Sequence, residues 1–262
     1  PWAILDYGIK IVSTSEIMVY YEVSPGCNCN PDIFSLKGKN ALGTSFITPY
    51  QSFNNSGAGY YAGFNVVATE DATTINIVLT QDSDGFLAGE EFSITLNRGE
   101  SYGIKAVNSI VNESLSGTTI NSDKNISVTI HEDSLSGPYG GCSDLVGDQL
   151  IPIELLGQEY IAVKGYLYGP DKVYVTAQNN NTTVQVDGVQ FATIDALETT
   201  EITLSNESVY IFTSEPTYVL HMSGFGCEVG EAILPPLECT GSFDVSVVRS
   251  TSEFFALNIL AP

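Results

Sequence analysis

Acidic side chains beside a glycine form the clearest candidate for metal chemistry in this sequence. Asp82, Ser83 and Asp84 precede Gly85, and Glu90 follows shortly afterwards. Oxygen ligands at alternate positions before a glycine turn suit a hard cation such as Ca²⁺. The full calcium-loop pattern is absent, and Asp-Gly is also an ordinary turn with solvated acids around it. We name Asp82, Asp84 and Glu90 as a candidate Ca²⁺ site, and we expect no required cofactor.

Residues for covalent catalysis are scarce. A nucleophilic Ser or Cys needs a general base, and the only histidines are His131 and His221. They follow repeated valines at nearly the same distance, which favours a packing role. No G-x-S-x-G motif is present. The paired carboxylates of a glycan hydrolase stay compatible with the many acids, because spacing in sequence says little about separation in space. We predict that the chain is not an enzyme.

Tyrosines in Gly- and Asn-rich loops are stronger candidates for function. Tyr50, Tyr60 and Tyr61 flank one such loop, and Tyr166 and Tyr168 occupy the matching place of a later repeat. Tyr supplies a large contact area, and the small polar residues around it supply adaptable hydrogen bonds. These tyrosines are our candidate ligand-binding residues, for a glycan or a protein. The alternative is that they cap the ends of a β-sandwich.

The five cysteines lie in Gly/Pro-rich loops rather than in strand patterns: Cys27, Cys29, Cys142, Cys227 and Cys239. A zinc site favours C-x2-C pairs or histidine partners, so we expect disulfides and an oxidising compartment instead. The connectivity stays open. The cysteine loops could be cross-linked between repeats, and Cys227 with Cys239 is the local alternative. The odd count leaves one thiol free or bonded outside this segment.

The elements that would carry these residues repeat along the chain. An Ile-x-Ser/Thr pattern followed by Val eight residues after the Ile begins at Ile11, Ile120 and Ile211. Each copy predicts a strand, a small polar break and a second strand. The periods of 109 (120 − 11) and 91 (211 − 120) residues indicate duplicated β modules. A repeated scaffold favours display and binding over a single reaction.

Around these repeats the sequence alternates apolar and polar residues, with few helix signals. Segments 64–68, 74–79 and 183–186 show this period of two, and Asp187-Gly188 predicts a two-residue hairpin. We predict an all-β fold of tandem, repeat-related antiparallel modules. Sandwiches of the jelly-roll or Ig-like kind, closed around a pseudo-axis, are the first choice, and a β-propeller-like ring is the alternative.

The repeats divide the chain into four parts. Residues 1–42 hold the end of an incomplete repeat and a cysteine loop, 43–140 the first module, 141–226 the second, and 227–262 the start of a third repeat. The incomplete ends complement each other, so 227–262 could pair with 1–23. The alternative is that both are truncated ends. Because both ends are abrupt, we expect a piece of a larger or processed protein.

Charge and hydropathy exclude several partners. Nine basic residues against 31 acidic residues give a net charge of −22. Such a chain repels phosphate backbones, so we expect no nucleic-acid partner, and anionic lipid is disfavoured for the same reason. No apolar stretch approaches the roughly 18 residues that span a bilayer, so we expect no direct membrane insertion. The acidic surface suits a secreted or cell-surface protein.

Several stretches, in this order, resemble the N-terminal domain of the IgG Fc-binding protein family: 43–50, 64–74, 119–128, 142–152 and 157–161. The resemblance covers roughly residues 40–225. It implies an extracellular adhesin-type role, as in large surface proteins of Bacteroidetes, with the domain as one segment of a long chain that the type IX system exports. The Asn-rich, Lys-poor composition is similar to that bacterial group. The resemblance carries over no catalytic motif.

We therefore predict a non-catalytic, extracellular adhesion or ligand-binding segment of a large secreted or cell-surface protein. Its partners would be a glycan or protein at a cell surface and neighbouring domains of a longer chain. A structural spacer or docking module is the second hypothesis, and a glycan hydrolase is the third. The resemblance by itself does not imply that this chain binds immunoglobulin.

Overall fold

The structure is a computed structural model that describes residues 3–23, 32–49, 61–83, 85–107, 114–136 and 142–239, with positions 252, 257 and 259. Its strands are β1 Tyr20–Val23, β2 Asp32–Ser35, β3 Leu42–Ile47, β4 Ala62–Ala68, β5 Thr73–Val78, β6 Glu91–Leu96, β7 Ser101–Lys105, β8 Thr119–Ser136, β9 Ser143–Gln149, β10 Gly157–Val163, β11 Tyr166–Leu167, β12 Asp171–Ala177, β13 Thr182–Val186, β14 Val189–Ile194, β15 Thr199–Leu204, β16 Ser208–Gly226 and β17 Glu228–Ile233. Short 3-10 helices lie at Gly38–Ala41, Ile153–Leu155 and Leu237–Cys239.

Two large sheets share one topology. In the first sheet, β3–β9, the strand order is β6-β5-β8-β4-β7, and β3 and β9 also pair with β8. In the second sheet, β10–β17, the order is β14-β13-β16-β12-β15, and β10, β11 and β17 also pair with β16. Strand for strand the second sheet repeats the first, with β11 added. The prediction of repeat-related, antiparallel, sandwich-like β modules is confirmed.

Each large sheet is organised around one long central strand, β8 in the first sheet and β16 in the second. Ile120 lies opposite Ile77 of β5, and Ile211 lies opposite Val186 of β13. Further along, each strand changes partner and pairs with β4 or β12. The second and third copies of the Ile/Val pattern therefore occupy equivalent places in the two sheets. The hairpin predicted at Asp187-Gly188 is also present, with Val186 paired to Val189 and both turn residues at positive φ.

One expectation about these copies was wrong: no break separates two strands. β8 and β16 run through the polar positions as single strands of 18 and 19 residues. In β8 the polar residues lie where the strand passes from β5 to β4. There the Ser122 hydroxyl donates to the Lys124 carbonyl (2.7 Å), and the Asp123 carboxylate accepts the Thr74 N–H (2.8 Å). Polar side chains thus satisfy the backbone at the change of partner, and the strand need not end.

The first copy of the pattern was also expected to be strand-like, and this was wrong. Residues 11–19 lie in no strand, and Ile11 is 51% exposed. A strand needs a neighbouring backbone along its length. In the described part of this segment, ladder-like bonds occur at either end of the copy: Leu5 exchanges hydrogen bonds with Ser101, the Gly8 N–H donates to Gly99, and the Val19 carbonyl accepts the Leu36 N–H. The chain therefore reaches the β7 edge before the copy begins.

The two sheets pack against each other through a shared core. One face of the second sheet, with Tyr174, Leu220 and Met222, joins the apolar cluster of the first sheet. The opposite face, with Val173 and Val175, builds a separate cluster inside the second sheet. This alternation along β12 and β16 is what a strand buried on both faces requires.

Strand pairing bears on how the chain is divided. β9 hydrogen-bonds to β8 of the first sheet, and β17 hydrogen-bonds to β16 of the second. Most residues after 239 lie outside the described part of the chain, so the pairing of 227–262 with 1–23 stays a prediction.

Within the described residues, no helix has the length and apolar character that crossing a bilayer requires.

Candidate functional site

Three exposed aromatic rings lie together at one end of the second sheet. Tyr166, Tyr168 and Phe225 are 51%, 79% and 58% exposed. The ring centroids of Tyr166 and Phe225 are 6.3 Å apart, which is within the range of a direct aromatic pair. We call these three residues the aromatic patch. Large apolar side chains that gather at the surface mark interaction sites more often than single exposed ones do.

Backbone pairing between β11 and the end of β16 positions the patch. Tyr166 and Leu167 pair in parallel with Phe225 and Gly226, and the Tyr168 N–H donates to the Gly226 carbonyl (2.8 Å). Successive side chains of an extended segment point to opposite sides. Leu167 is buried in the shared core, so its neighbours Tyr166 and Tyr168 face solvent.

A buried carboxylate holds the loop that carries the two tyrosines. Asp171 is fully buried, and its Oδ2 accepts the Gly165 N–H (2.8 Å) and His221 Nε2 (3.0 Å). Burial opposes ionisation of Asp171, but the hydrogen bonds from His221, Gly165 and Ser223 outweigh it and lower the pKa of this carboxyl. The loop is therefore attached to β16 through the buried, hydrogen-bonded carboxylate of Asp171.

Close backbone approach under the patch requires glycine. A Cβ on Gly165 would lie 2.2 Å from the Ser223 hydroxyl and 3.0 Å from the Gly224 carbonyl oxygen. Gly226 has φ +66°, where glycine alone is unstrained, and a Cβ there would reach the Tyr168 ring at 3.4 Å. The base of the patch is thus closely packed, while the rings above it are exposed.

The chemistry that this arrangement supports is recognition by contact. Nε2 of His221 faces the Asp171 carboxylate, and the Ser223 side chain also hydrogen-bonds to that carboxylate. A nucleophilic serine would need the histidine as its base, so these groups brace the loop. Phe225 was missed by the sequence analysis. Its signal is an aromatic residue between two glycines at the end of a repeated strand, similar to the Gly-flanked tyrosines.

The other predicted tyrosines lie in or near the first sheet. Tyr61 immediately precedes β4, and the ammonium group of Lys105 lies 4.2 Å from its ring centroid. Tyr50 and Tyr60 lie outside the described residues. The structure thus brings Tyr166 and Tyr168 together with Phe225, and it places Tyr61 beside a lysine.

The acidic residues of the candidate calcium site have backbone partners in a turn. Asp82 Oδ1 accepts the Ala88 N–H (2.9 Å), and the Glu90 N–H donates to the Leu87 carbonyl (3.3 Å). The Glu90 side chain is exposed, and Asp84 lies outside the described residues. Asp82 therefore closes a turn on its own, and calcium binding at Asp82, Asp84 and Glu90 stays a prediction.

One disulfide joins the two sheets. Cys142 and Cys227, 85 residues apart in sequence with a Cα–Cα distance of 5.5 Å, immediately precede β9 and β17. A cross-link between repeats is therefore formed, and Cys227 is not paired with Cys239. Cys27, Cys29 and the Cys239 side chain lie outside the described residues. A disulfide of this kind is typical of proteins in an oxidising compartment.

Comparison with known proteins identifies the family. Searches of curated proteins and of solved structures gave no significant match. The family model described as IgGFc binding protein matches residues 34–258, a range that contains both sheets, the disulfide and the aromatic patch. This family consists of extracellular binding domains and is not known as an enzyme family. The chain belongs to the IgGFc binding protein family.

Proposed function

We propose that this chain is an adhesion or ligand-binding segment of a large secreted or cell-surface protein, and that the aromatic patch contacts its ligand. The observation that carries the proposal is the combination of three exposed rings with a buried base. Leu167, Asp171 and the glycines fix the backbone, so little conformational entropy is lost when the rings bind. Tyr and Phe rings then supply most of the contact area.

The ligand classes that fit such a patch are sugars and protein surfaces. Aromatic faces stack on apolar faces of sugar rings or on side chains of a protein, and tyrosine hydroxyls add hydrogen bonds at the rim. The family description names the Fc portion of IgG, so Fc is the first protein ligand to test. With a net charge of −22, a partner with a basic surface would associate faster than an acidic one.

The wider context that we propose is an adhesin-type surface protein of the Bacteroidetes kind, exported by the type IX system, with neighbouring domains of a longer chain as further partners. The acidic, Lys-poor composition supports this context.

Replacing Tyr166 and Tyr168 by alanine tests the role of the patch. Immobilised protein would be presented to Fc fragments and to a glycan array, and the wild-type hit would be titrated. We expect the double variant to lose affinity by about tenfold or more, with an unchanged thermal midpoint. Phe191→Ala, an exposed aromatic residue on β14, is the matched control and should bind as the wild type does. Unchanged affinity, or a collapse in thermal stability, would favour the capping role.

A spacer or docking module is the second candidate function, and the shared core of the two sheets favours it. Repeats that bury apolar surface against each other make a stiff rod-like or ring-like unit. The two functions differ in one measurable property. A spacer keeps its role without the aromatic patch, so wild-type protein that captures neither Fc nor any glycan in the same assays would support it.

A further inference from the structure

Four carboxyl groups meet where the two sheets join. Asp32 lies on β2, Glu132 on β8, Asp148 on β9 and Glu231 on β17. Glu132, Asp148 and Glu231 are buried, and Glu231 is 8% exposed. We call these four residues the acidic junction. Glu132 and Asp148 belong to the first large sheet, Glu231 belongs to the second, and Asp32 belongs to the small β1–β2 sheet. The charge state of the junction therefore bears directly on how the two large sheets hold together.

Asp148 has hydrogen-bond donors at both of its carboxylate oxygens, although burial raises its pKa. Its Oδ1 accepts the Gln149 N–H (2.7 Å) and a hydrogen bond from the Lys37 ammonium, and its Oδ2 accepts the Ile233 N–H of β17 (2.7 Å). The Lys37 ammonium also donates to the Gln149 carbonyl (2.7 Å). Lys37 is therefore committed to Asp148 and to the backbone beside it.

Glu231 has the opposite surroundings. Both of its carboxyl oxygens are buried, and no described residue hydrogen-bonds to either of them. Glu132 of β8, Asp148 of β9 and Asp32 of β2 each repel its charge. On its remaining side β16 places Met222 directly opposite Glu231. A buried carboxylate with acidic and apolar neighbours is costly to ionise, so this group needs a neutralising ligand.

The geometry of the acidic junction favours a proton over a metal ion as the ligand that neutralises Glu231. Among the described residues, the only three side chains whose ligand atoms lie within 4.8 Å of one another are Cys142, Cys227 and Glu228. The disulfide uses both sulfurs of that group. The oxygens of the acidic junction are thus not gathered for chelation, which needs several oxygens around one point. Glu132, Asp148 and Glu231 are also buried, so they do not resemble the accessible carboxyl pair of a glycan hydrolase.

We propose that Glu231 carries a proton in the folded molecule, and that this proton makes the acidic junction a pH-sensitive clasp between the two sheets. When Glu231 is neutral, β9 and β17 stay joined through Asp148 and the Ile233 N–H. When it loses the proton, its charge repels Asp32, Glu132 and Asp148, and the contact loosens. The Cys142–Cys227 bond keeps the sheets tethered, so the motion is a hinge opening rather than a separation.

The pKa shifts of the carboxyl groups at and near the junction have the direction that the proposal requires. Burial, followed by repulsion from Glu132, Asp148 and Asp32, raises the pKa of Glu231 well above its ordinary value. Burial also raises the pKa of Asp32 to about 6. Near the disulfide, burial and a hydrogen bond with Glu228 raise the pKa of Asp144 to about 7, while Asp144 accepts the Val229 N–H (2.8 Å).

The sign of the pH effect follows from these shifts. A carboxyl whose pKa is higher in the folded state than in the unfolded chain binds a proton more tightly when folded. Its stabilising contribution is complete below the ordinary carboxyl pKa of about 4 and is lost as the pH rises through the folded value. The contribution of Asp32 should therefore be lost between about pH 4 and about pH 6, that of Asp144 between about pH 4 and about pH 7, and that of Glu231 over a range that extends up to the pH at which it ionises.

Thermal unfolding of Glu231→Gln between about pH 5 and pH 9 tests the proposal, because Gln mimics the protonated acid. We expect the variant to exceed the wild type by about 3–6 °C at the alkaline end and to match it at the acidic end. Glu91→Gln, at an exposed position on β6, is the matched control and should follow the wild-type curve. A constant difference between Glu231→Gln and wild type across the pH range would overturn the proposal.

A second variant and a local readout guard against a simple folding defect. Asp32→Asn removes one repelling charge, so it should also reduce the loss of stability at alkaline pH. Hydrogen exchange at the Val229 and Ile233 amides, corrected for the intrinsic rate, should rise with pH in wild type and stay flat in Glu231→Gln. Calcium that restores alkaline stability in wild type but not in Glu231→Gln would replace the proton by a cation and overturn the proposal.

Discussion

Two buried carboxyl groups in this protein have pKa values shifted in opposite directions, according to their partners. Asp171 is ionised because His221 and the Gly165 N–H bind the same oxygen. Glu231 has two buried oxygens with no hydrogen-bond donor among the described residues. The same kind of group, a buried carboxyl, therefore has a lowered pKa at Asp171 below the aromatic patch and a raised pKa at Glu231 in the acidic junction. The ionised carboxylate of Asp171 fixes a loop, and the buried carboxyl group of Glu231 makes the interface between the sheets depend on pH.

Asp171→Asn should destabilise the protein by about 1–3 kcal/mol at neutral pH, because it removes the charge from a buried hydrogen-bonded pair. The measurement is urea unfolding. The difference should shrink as the pH falls below 3.8, the ordinary value of this carboxyl, since wild type then loses the same charge. Asp133→Asn breaks the partly exposed pair with His131 and should cost less than about 0.5 kcal/mol. Equal losses in both variants would contradict the role of burial.

At the level of elements, each sheet begins with a strand that packs against a following 3-10 helix. Gly43 of β3 faces Pro152, just before the helix Ile153–Leu155, and Gly157 of β10 faces Pro236, just before Leu237–Cys239. A Cβ on either glycine would lie 2.3 Å from the proline Cβ. The same glycine–proline contact therefore occurs in both sheets, at equivalent places along the chain.

Gly157→Ala should destabilise the protein by about 1–3 kcal/mol, because the added methyl group overlaps Pro236 in a packed contact. Chemical denaturation measures the effect. Gly230→Ala on β17 is the matched control, since a methyl group added there would meet nothing within 4 Å, and its free energy of unfolding should change by less than about 0.5 kcal/mol. If Gly157→Ala is as mild as the control, the glycine–proline contact has room to relax and does not hold the elements together.

At the scale of the whole molecule, the two sheets are joined by three kinds of contact. A shared apolar core runs between them, Asp144 and Asp148 accept backbone N–H groups of β17, and one disulfide links the loops before β9 and β17. A chain with net charge −22 repels itself. The apolar and covalent contacts must offset that repulsion, and the acidic junction adds to it when it ionises.

Replacing Cys142 and Cys227 together by alanine should lower the free energy of unfolding by up to about 4 kcal/mol, because the disulfide closes a long loop in the unfolded chain. The bond spans 85 residues. The measurement is the urea midpoint under non-reducing conditions. A midpoint equal to that of wild type would mean that the shared core alone determines how the sheets stay together.

Sequence alone determined the features that local pattern encodes. Alternation with period two and the Asp187-Gly188 turn specified strands and hairpins, because side-chain direction and backbone sterics act over neighbouring residues. Recurrence of the Ile/Val pattern at Ile120 and Ile211 indicated the duplication, and the glycines around Tyr166 and Tyr168 predicted a loop that exposes them. The same local signals wrongly predicted a strand in the copy that begins at Ile11. A strand pattern forms a strand only when another backbone lies beside it.

Tertiary structure decided everything that depends on which distant strands meet. β9 and β17 lie 85 residues apart in the chain, yet their contact pairs Cys142 with Cys227 and brings Asp148 close to Glu231. Phe225 joins the tyrosines only because β11 pairs in parallel with the end of β16. Composition shows how many acids a chain holds, but the pKa of each one depends on burial and neighbours, and these arise when the sheets pack together.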